Sequence, residues 1–147
     1  MKTTIFLTLI LGLLLAACGG SAQNSAAEDV LTVGDGSAQK VYTLDALQTL
    51  PQTQSEFNGV AYTGVKLATL LEDAGMDVNS LASITAIASD GYSVVYEPAM
   101  FLRDDVILAY AQANGPLSAD DGAFRMVLPG EEGKLNVRMV VELKAAP

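Results

Sequence analysis

The sequence predicts an α+β domain, a mixed and mainly antiparallel sheet with one or two covering helices. Three observations carry this. Several short runs alternate apolar and polar residues with the period of a strand. One leucine-rich run has the period of a helix. The connections between runs are short and punctuated by glycine.

In chain order, "VLTVG" and "KVYT" are two short strands around a Gly-Asp-Gly turn. Thr43 is placed to cap a short helix, "LDALQTL", which Pro51 ends. In "YTGVKLATLLEDAGMDV", Leu67, Leu70, Leu71 and Ala74 fall on one helical face, and Gly75 supplies the stop. "SITAIASDGYSVVYEP" reads as two strands joined at Asp90-Gly91, a pair favoured in hairpin turns. Tyr92, Val94 and Tyr96 then share one face, and Ser93, Val95 and Glu97 the other. "VILAYAQ" is a further strand, "ANGPLSADDGA" a long polar loop, and "FRMVLPG" a strand stopped by Pro-Gly. "NVRMVVELK" closes the domain, with Val137, Met139, Val141 and Leu143 expected on one face.

The start of the chain has a different character. Lys2, the apolar run from Ile5 to Leu15 and small residues before Cys18 make a charged, an apolar and a cleavage region, the pattern of a secretory signal. The apolar run is shorter than the roughly 20 residues that span a bilayer. "LAAC" resembles the lipobox of bacterial lipoproteins, which implies lipidation of Cys18 and cleavage before it. The expected organisation is a signal peptide over 1–17, a flexible tether over 18–29 and a domain over 30–147. The tether, "GGSAQNSAAED" after the Cys, is small and polar without a period, and extended it reaches about 40 Å. The location that follows is the cell envelope, on the periplasmic face of an outer membrane or the outer face of a plasma membrane. Cys18 acyl chains would contact the lipid bilayer.

Composition narrows the chemistry. The 147-residue chain carries a formal charge of −9, which argues against nucleic acid as a partner. The acidic pairs Asp104–Asp105, Asp120–Asp121 and Glu131–Glu132 are expected in solvated turns. The chain has no His and only one Cys. That excludes Ser-His-Asp and Cys-His nucleophilic sites, the usual zinc ligand sets, His-ligated haem and internal disulfides. No residue pair stands out as catalytic or metal-binding.

Five stretches together resemble, in order and spacing, the oxidoreductase molybdopterin-binding domain of sulfite-oxidase fold in its short stand-alone form. They are "YTLDALQTLP", "YTGVKLATLLEDAG", "ASDGYSVVYEP", "VILAYAQANGPLS" and "GAFRMVLPGEEGKLNVRMVVEL", and they reach from Val30 to Lys144. In that family a cysteine thiolate holds molybdenum and comes from the stretch before the main helix. Here that stretch, "QTQSEFNGVAYTG", has no Cys. The family's His before the Arg-x-x-x-Pro-Gly motif is also missing, and Asn136 stands where an aromatic residue is common.

Pterin-side positions remain. Arg125 matches the Arg before the Pro-Gly turn, and Arg138 the basic residue of the Val-Lys/Arg step. The resemblance implies that both hold the pterin and its phosphate, as a planar guanidinium suits. It places Asp90 and Tyr92 at the same cleft, where a carboxylate accepts from an amino-pyrimidinone edge and a phenol stacks on the ring. Glu97 and Lys134 are lesser candidates. The expected function is a non-catalytic pterin-binding lipoprotein that senses a ligand or delivers it to a membrane signalling or redox protein. A ligand-free interaction lipoprotein is the first alternative. A molybdopterin-dependent oxidoreductase, or a subunit of one, is the second. The expected cofactor is a pterin, or molybdopterin without a protein thiolate.

Overall fold

The computed structural model describes residues 29–147. The expected signal peptide and the tether up to residue 28 lie outside the described residues. Strands β1 (Val30–Gly34) and β2 (Gln39–Thr43) form the first antiparallel pair, with Leu31 opposite Tyr42. Thr43 caps α1 (Leu44–Gln48), accepting from the Ala46 N–H at 3.2 Å. A hairpin follows, β3 (Gln52–Phe57) and β4 (Val60–Lys66), turned by Asn58 and Gly59 at φ 51° and 78°.

Helix α2 (Leu67–Asp73) buries Leu67, Leu70 and Leu71 completely. Each such side chain contributes about 1.5–3 kcal/mol relative to exposure. Gly75, at φ 88°, ends the helix in the left-handed conformation that glycine adopts without strain. Strands β5 (Ser83–Ala88) and β6 (Ser93–Tyr96) lead to the single turn α3 (Pro98–Phe101). After it come β7 (Ile107–Gln112), the two-residue β8 (Gly115–Pro116), β9 (Arg125–Val127) and β10 (Val140–Ala146).

The strands build two sheets. One runs β2-β1-β10-β5-β6, and in it only β1 and β10 pair in parallel. The other is antiparallel, running β3-β4-β7, with β8 and β9 both pairing with β7. One core joins Leu31 and Val33 of the first sheet, Leu108 and Met126 of the second, and the leucines of α2. A smaller cluster of Tyr62, Ile107, Ala109 and Val127 lies on the other face of the second sheet, under Phe57 and Leu117. The fold is the α+β arrangement, mainly antiparallel with few short helices, that the alternating runs predict.

Two expectations fail. Val137, Met139, Val141 and Leu143 do not share a face. Met139 has φ 51°, and the β10–β5 register shifts between Val140 and Glu142. A bulge of this kind turns the following side chains over, so Val140 and Leu143 are buried and Val141 is 39% exposed. The acidic pairs are not all solvated either. Asp121 is buried beside Arg125, and Glu131 is half-buried against Arg103, which also pairs with Asp105. In each case a guanidinium folds onto the carboxylate and takes over what water would supply.

Candidate functional site

Three of the four expected ligand-binding residues come together. The turn after β5 and the segment before β10 enclose a cleft of about 360 Å³, lined by Asp90, Tyr92, Lys134, Asn136, Arg138 and Met139 among others. Local chemistry fixes the first wall. Gly91 takes φ 87°, and its N–H donates to the Ala88 carbonyl at 3.0 Å. Asp90 Oδ1 accepts from the Tyr92 N–H at 2.9 Å. The Tyr92 hydroxyl then crosses the cleft and donates to the Lys134 carbonyl at 2.8 Å.

The second wall is the turn around residues 133–135. Tyr96, fully buried, donates to the Leu135 carbonyl at 2.6 Å, and burial pushes its hydroxyl pKa up. Asn136 is 3% exposed, and its side-chain oxygen accepts from the Leu128 N–H at 2.7 Å. Its amide nitrogen reaches the carbonyls of Leu128 at 3.4 Å and Glu132 at 3.2 Å. Sequence reasoning missed this role. A polar residue within a buried apolar stretch was the available signal, since such a residue needs internal partners.

The charges in the cleft are unequal. Lys134 pairs with Glu132 at 2.6 Å, and that contact raises the lysine pKa. Arg138 is exposed and makes no ion pair among the described residues. Its guanidinium fork is free for an oxyanion or a ring carbonyl.

Arg125 is not in this cleft. It is 5% exposed, on the face of the second sheet that carries the small cluster. Its Nη1 donates to Asp121 Oδ1 at 2.7 Å and to the Tyr62 hydroxyl at 2.9 Å. The guanidinium carbon lies 4.6 Å from the Tyr62 ring centre and 5.8 Å from that of Phe57. Arg125 and Arg138 therefore do not meet one ligand in this arrangement. Glu97, the other lesser candidate, lies outside the lining set.

A larger groove of about 630 Å³ borders the cleft at Met139, with Phe124, Val140, Val141 and Glu142 in its wall. It contains none of the expected residues. It is the roomier space and has polar groups of its own, Asp29, Thr32, Gln39 and Ser89, but no cation among the described residues lines it, whereas the smaller cleft presents Arg138 and Lys134 beside Asp90.

Molybdenum held through a thiolate does not fit the described residues. The described residues contain no Cys or His, and no group of three or more metal-capable side chains is found among them. The stretch matched to the family's Cys is the β3–β4 hairpin, where Ser55 is buried and donates to the Asp105 carbonyl at 2.6 Å. The smaller cleft presents the kinds of group that would hold a pterin. Arg138 supplies paired donors, Asp90 keeps acceptor capacity on Oδ2, and the Tyr92 ring supplies a flat face.

Comparison with known proteins gives a family and a fold. Residues 23–147 match the family model described as the oxidoreductase molybdopterin binding domain. Among curated proteins no match is found. Among solved structures the chain is similar to the crystal structure of the sulfane dehydrogenase SoxCD from Paracoccus pantotrophus. The TM-score is 0.68 and the identity 22%, over 80% of this chain and 38% of that one. At that identity the likeness is one of fold, and this chain spans well under half the length of its neighbour.

Proposed function

This chain belongs to the oxidoreductase molybdopterin-binding domain family, and from that membership we propose that it is a non-catalytic pterin-binding module. One observation carries the reading. Arg138 is an exposed guanidinium with no carboxylate partner among the described residues, in a cleft that also presents Asp90 and Tyr92. A bound pterin supplies a flat heteroaromatic ring with an amino-pyrimidinone edge. Arg138 binds its anionic or carbonyl side, Asp90 accepts from its amino edge, and Tyr92 covers its face. The absence of Cys from residues 29–147 and of His from the whole sequence argues against sulfite-oxidase-type redox chemistry at the same place. As a lipoprotein anchored through Cys18 on the outer side of a membrane, the module senses its ligand or hands it to a membrane signalling or redox protein.

A second reading, a ligand-free interaction module on the same anchor, is favoured by Arg125. That family cation is satisfied inside this chain by Asp121. Calorimetric titration of the purified full-length protein with oxidised and reduced pterins and with molybdopterin separates the two. Arg138→Ala removes charge-assisted hydrogen bonds worth about 1.5–3 kcal/mol, a loss of roughly ten- to hundred-fold in affinity. Lys144→Ala is the matched control, an exposed cation outside the cleft wall. No heat with any of these ligands, from folded and ligand-free protein, selects the interaction module. Sulfite or sulfoxide turnover with bound molybdenum overturns both readings.

A further inference from the structure

We propose that the Asp121 carboxylate occupies the anion position of Arg125 from within the chain, so that the domain carries a closed oxyanion site. The first ground is how the guanidinium is used. Both strong bonds leave from Nη1, to Asp121 and Tyr62, while Nε reaches the Met126 carbonyl only at 3.4 Å. Nη2 makes no hydrogen bond among the described residues. An arginine built only to neutralise a carboxylate typically meets both oxygens with its fork. Here Asp121 offers Arg125 one oxygen, and its Oδ2 accepts from the Ser118 hydroxyl at 2.7 Å. The Asp121 carboxylate thus accepts from Arg125 Nη1 on one oxygen and from the Ser118 hydroxyl on the other, donors of the kind a phosphate-type oxyanion also takes.

The second ground is burial. Arg125 and Asp121 are 5% and 4% exposed, and the rings of Tyr62 and Phe57 stand over the guanidinium. Away from water, an unpaired guanidinium is strongly disfavoured, so some anion must stay there. The third ground is the origin of that anion. Asp121 ends the short turn Ala119–Asp121, between Gly115 at φ 143° and Gly122 at φ 71°. The carboxylate therefore comes from a loop bounded by glycines, whereas Arg125 is fixed in β9. Being part of the chain, it competes at high effective concentration, and an external oxyanion cannot displace it at ordinary concentrations. The cation that the family turns to its cofactor is thus closed by the protein itself, and a cofactor phosphate does not fit there while Asp121 is in place.

The test compares full-length wild type, Asp121→Ala, Asp121→Asn and the double variant Asp121→Ala/Arg125→Met. Thermal unfolding is followed in chloride, phosphate and molybdate at matched ionic strength. With Asp121 in place, the chain is expected to show no saturable response to either oxyanion beyond the one the open Arg138 cleft gives, which Arg138→Ala removes. Asp121→Ala is expected to melt lower in chloride and to recover saturably with phosphate or molybdate. The double variant, without the cation, is expected to show no such recovery. If Asp121→Ala does not fold in chloride, refolding from denaturant with and without phosphate gives the same comparison; Asp121→Asn, which keeps the volume and loses the charge, is expected to melt lower and, with the position still filled, to gain nothing from either oxyanion. Wild type responding like Asp121→Ala overturns the proposal, because the site would then be open. So does failure of both oxyanions to rescue Asp121→Ala while the double variant folds. Arg138→Ala leaves the rescue unchanged, so failure here and failure of pterin binding at the cleft are read separately.

Discussion

Tyr42 donates its hydroxyl to the Asp73 carboxylate at 2.6 Å, tying an edge strand to the end of α2. Lys40 donates to the same oxygen at 2.7 Å and to the Asp73 carbonyl at 3.0 Å, a favourable place for a cation at a helix C-terminus. The lysine contact first, and the tyrosine contact second, hold the Asp73 carboxyl below its ordinary pKa. A depressed carboxyl pKa adds stability above the unfolded value, near 4, and loses it as pH falls through the folded one. Asp73→Asn should therefore cost about 1 kcal/mol at neutral pH, modest because Lys40 is half-exposed. Denaturant unfolding at several pH values should show the gap to wild type closing below about pH 4. A gap that stays constant to pH 3 would remove Asp73 ionisation from the account.

Gly64 lies directly against the neighbouring strand. A β-carbon there would meet the Leu108 carbonyl oxygen and come within 2.7 Å of the Ala109 Cα. Both are backbone atoms of a paired strand and cannot rotate away. Gly64→Ala should cost at least the ~1–3 kcal/mol of an overpacked core, read as a lowered midpoint in thermal unfolding. Gly133→Ala, whose β-carbon would meet nothing closer than Phe57 Cζ at 4.0 Å, should melt close to wild type. Equal midpoints for the two variants would contradict the β4–β7 register.

Asn136→Ala leaves the Leu128 N–H without its buried acceptor. The expected cost is about 1–3 kcal/mol. The same substitution loosens the turn that forms one wall of the cleft, so pterin affinity should fall with stability. Wild-type stability in this variant would show that water replaces the side chain at no cost.

Cys18→Ser removes the one thiol in the sequence. If the chain is a lipoprotein, the variant should lose all label from a tagged fatty acid and accumulate as unprocessed precursor. Undiminished labelling of the membrane fraction would refute anchoring at this residue.

The parts of the fold that were legible are those where burial repeats with one period. Leu67, Leu70 and Leu71 announce α2, and the alternation in 83–88 announces β5. The β3–β4 hairpin was not legible because β3 is a sheet edge with Ser55 as its one buried side chain, so no apolar period marks it. Only Asn58-Gly59, a pair suited to left-handed turns, signals it. The closing strand misled because a one-residue bulge inverts faces without leaving any trace in composition. That Asp90, Tyr92 and Arg138 line one cleft was legible from the family pattern because its walls are a local turn and a strand entry. Arg125 was placed at the same cleft because a sequence pattern cannot show which face of β9 it occupies. Asp121 was read as solvated for a related reason: an acid in a polar loop looks solvated until the loop folds back on a cation.

The parallel pairing of β1 with β10 has a mechanical consequence. Thr32, Val33 and Gly34 pair in step with Glu142, Leu143 and Lys144. Tension applied between residues 29 and 147 would pull these neighbouring strands along their length in opposite directions. Their hydrogen bonds would be loaded in shear, all together, where an antiparallel hairpin pulled from its open end would unzip one bond at a time. On its other side β1 is paired with β2 along its whole length, so it cannot slide without breaking that ladder too. A pull on the segment preceding β1 would thus load both ladders of that strand at once.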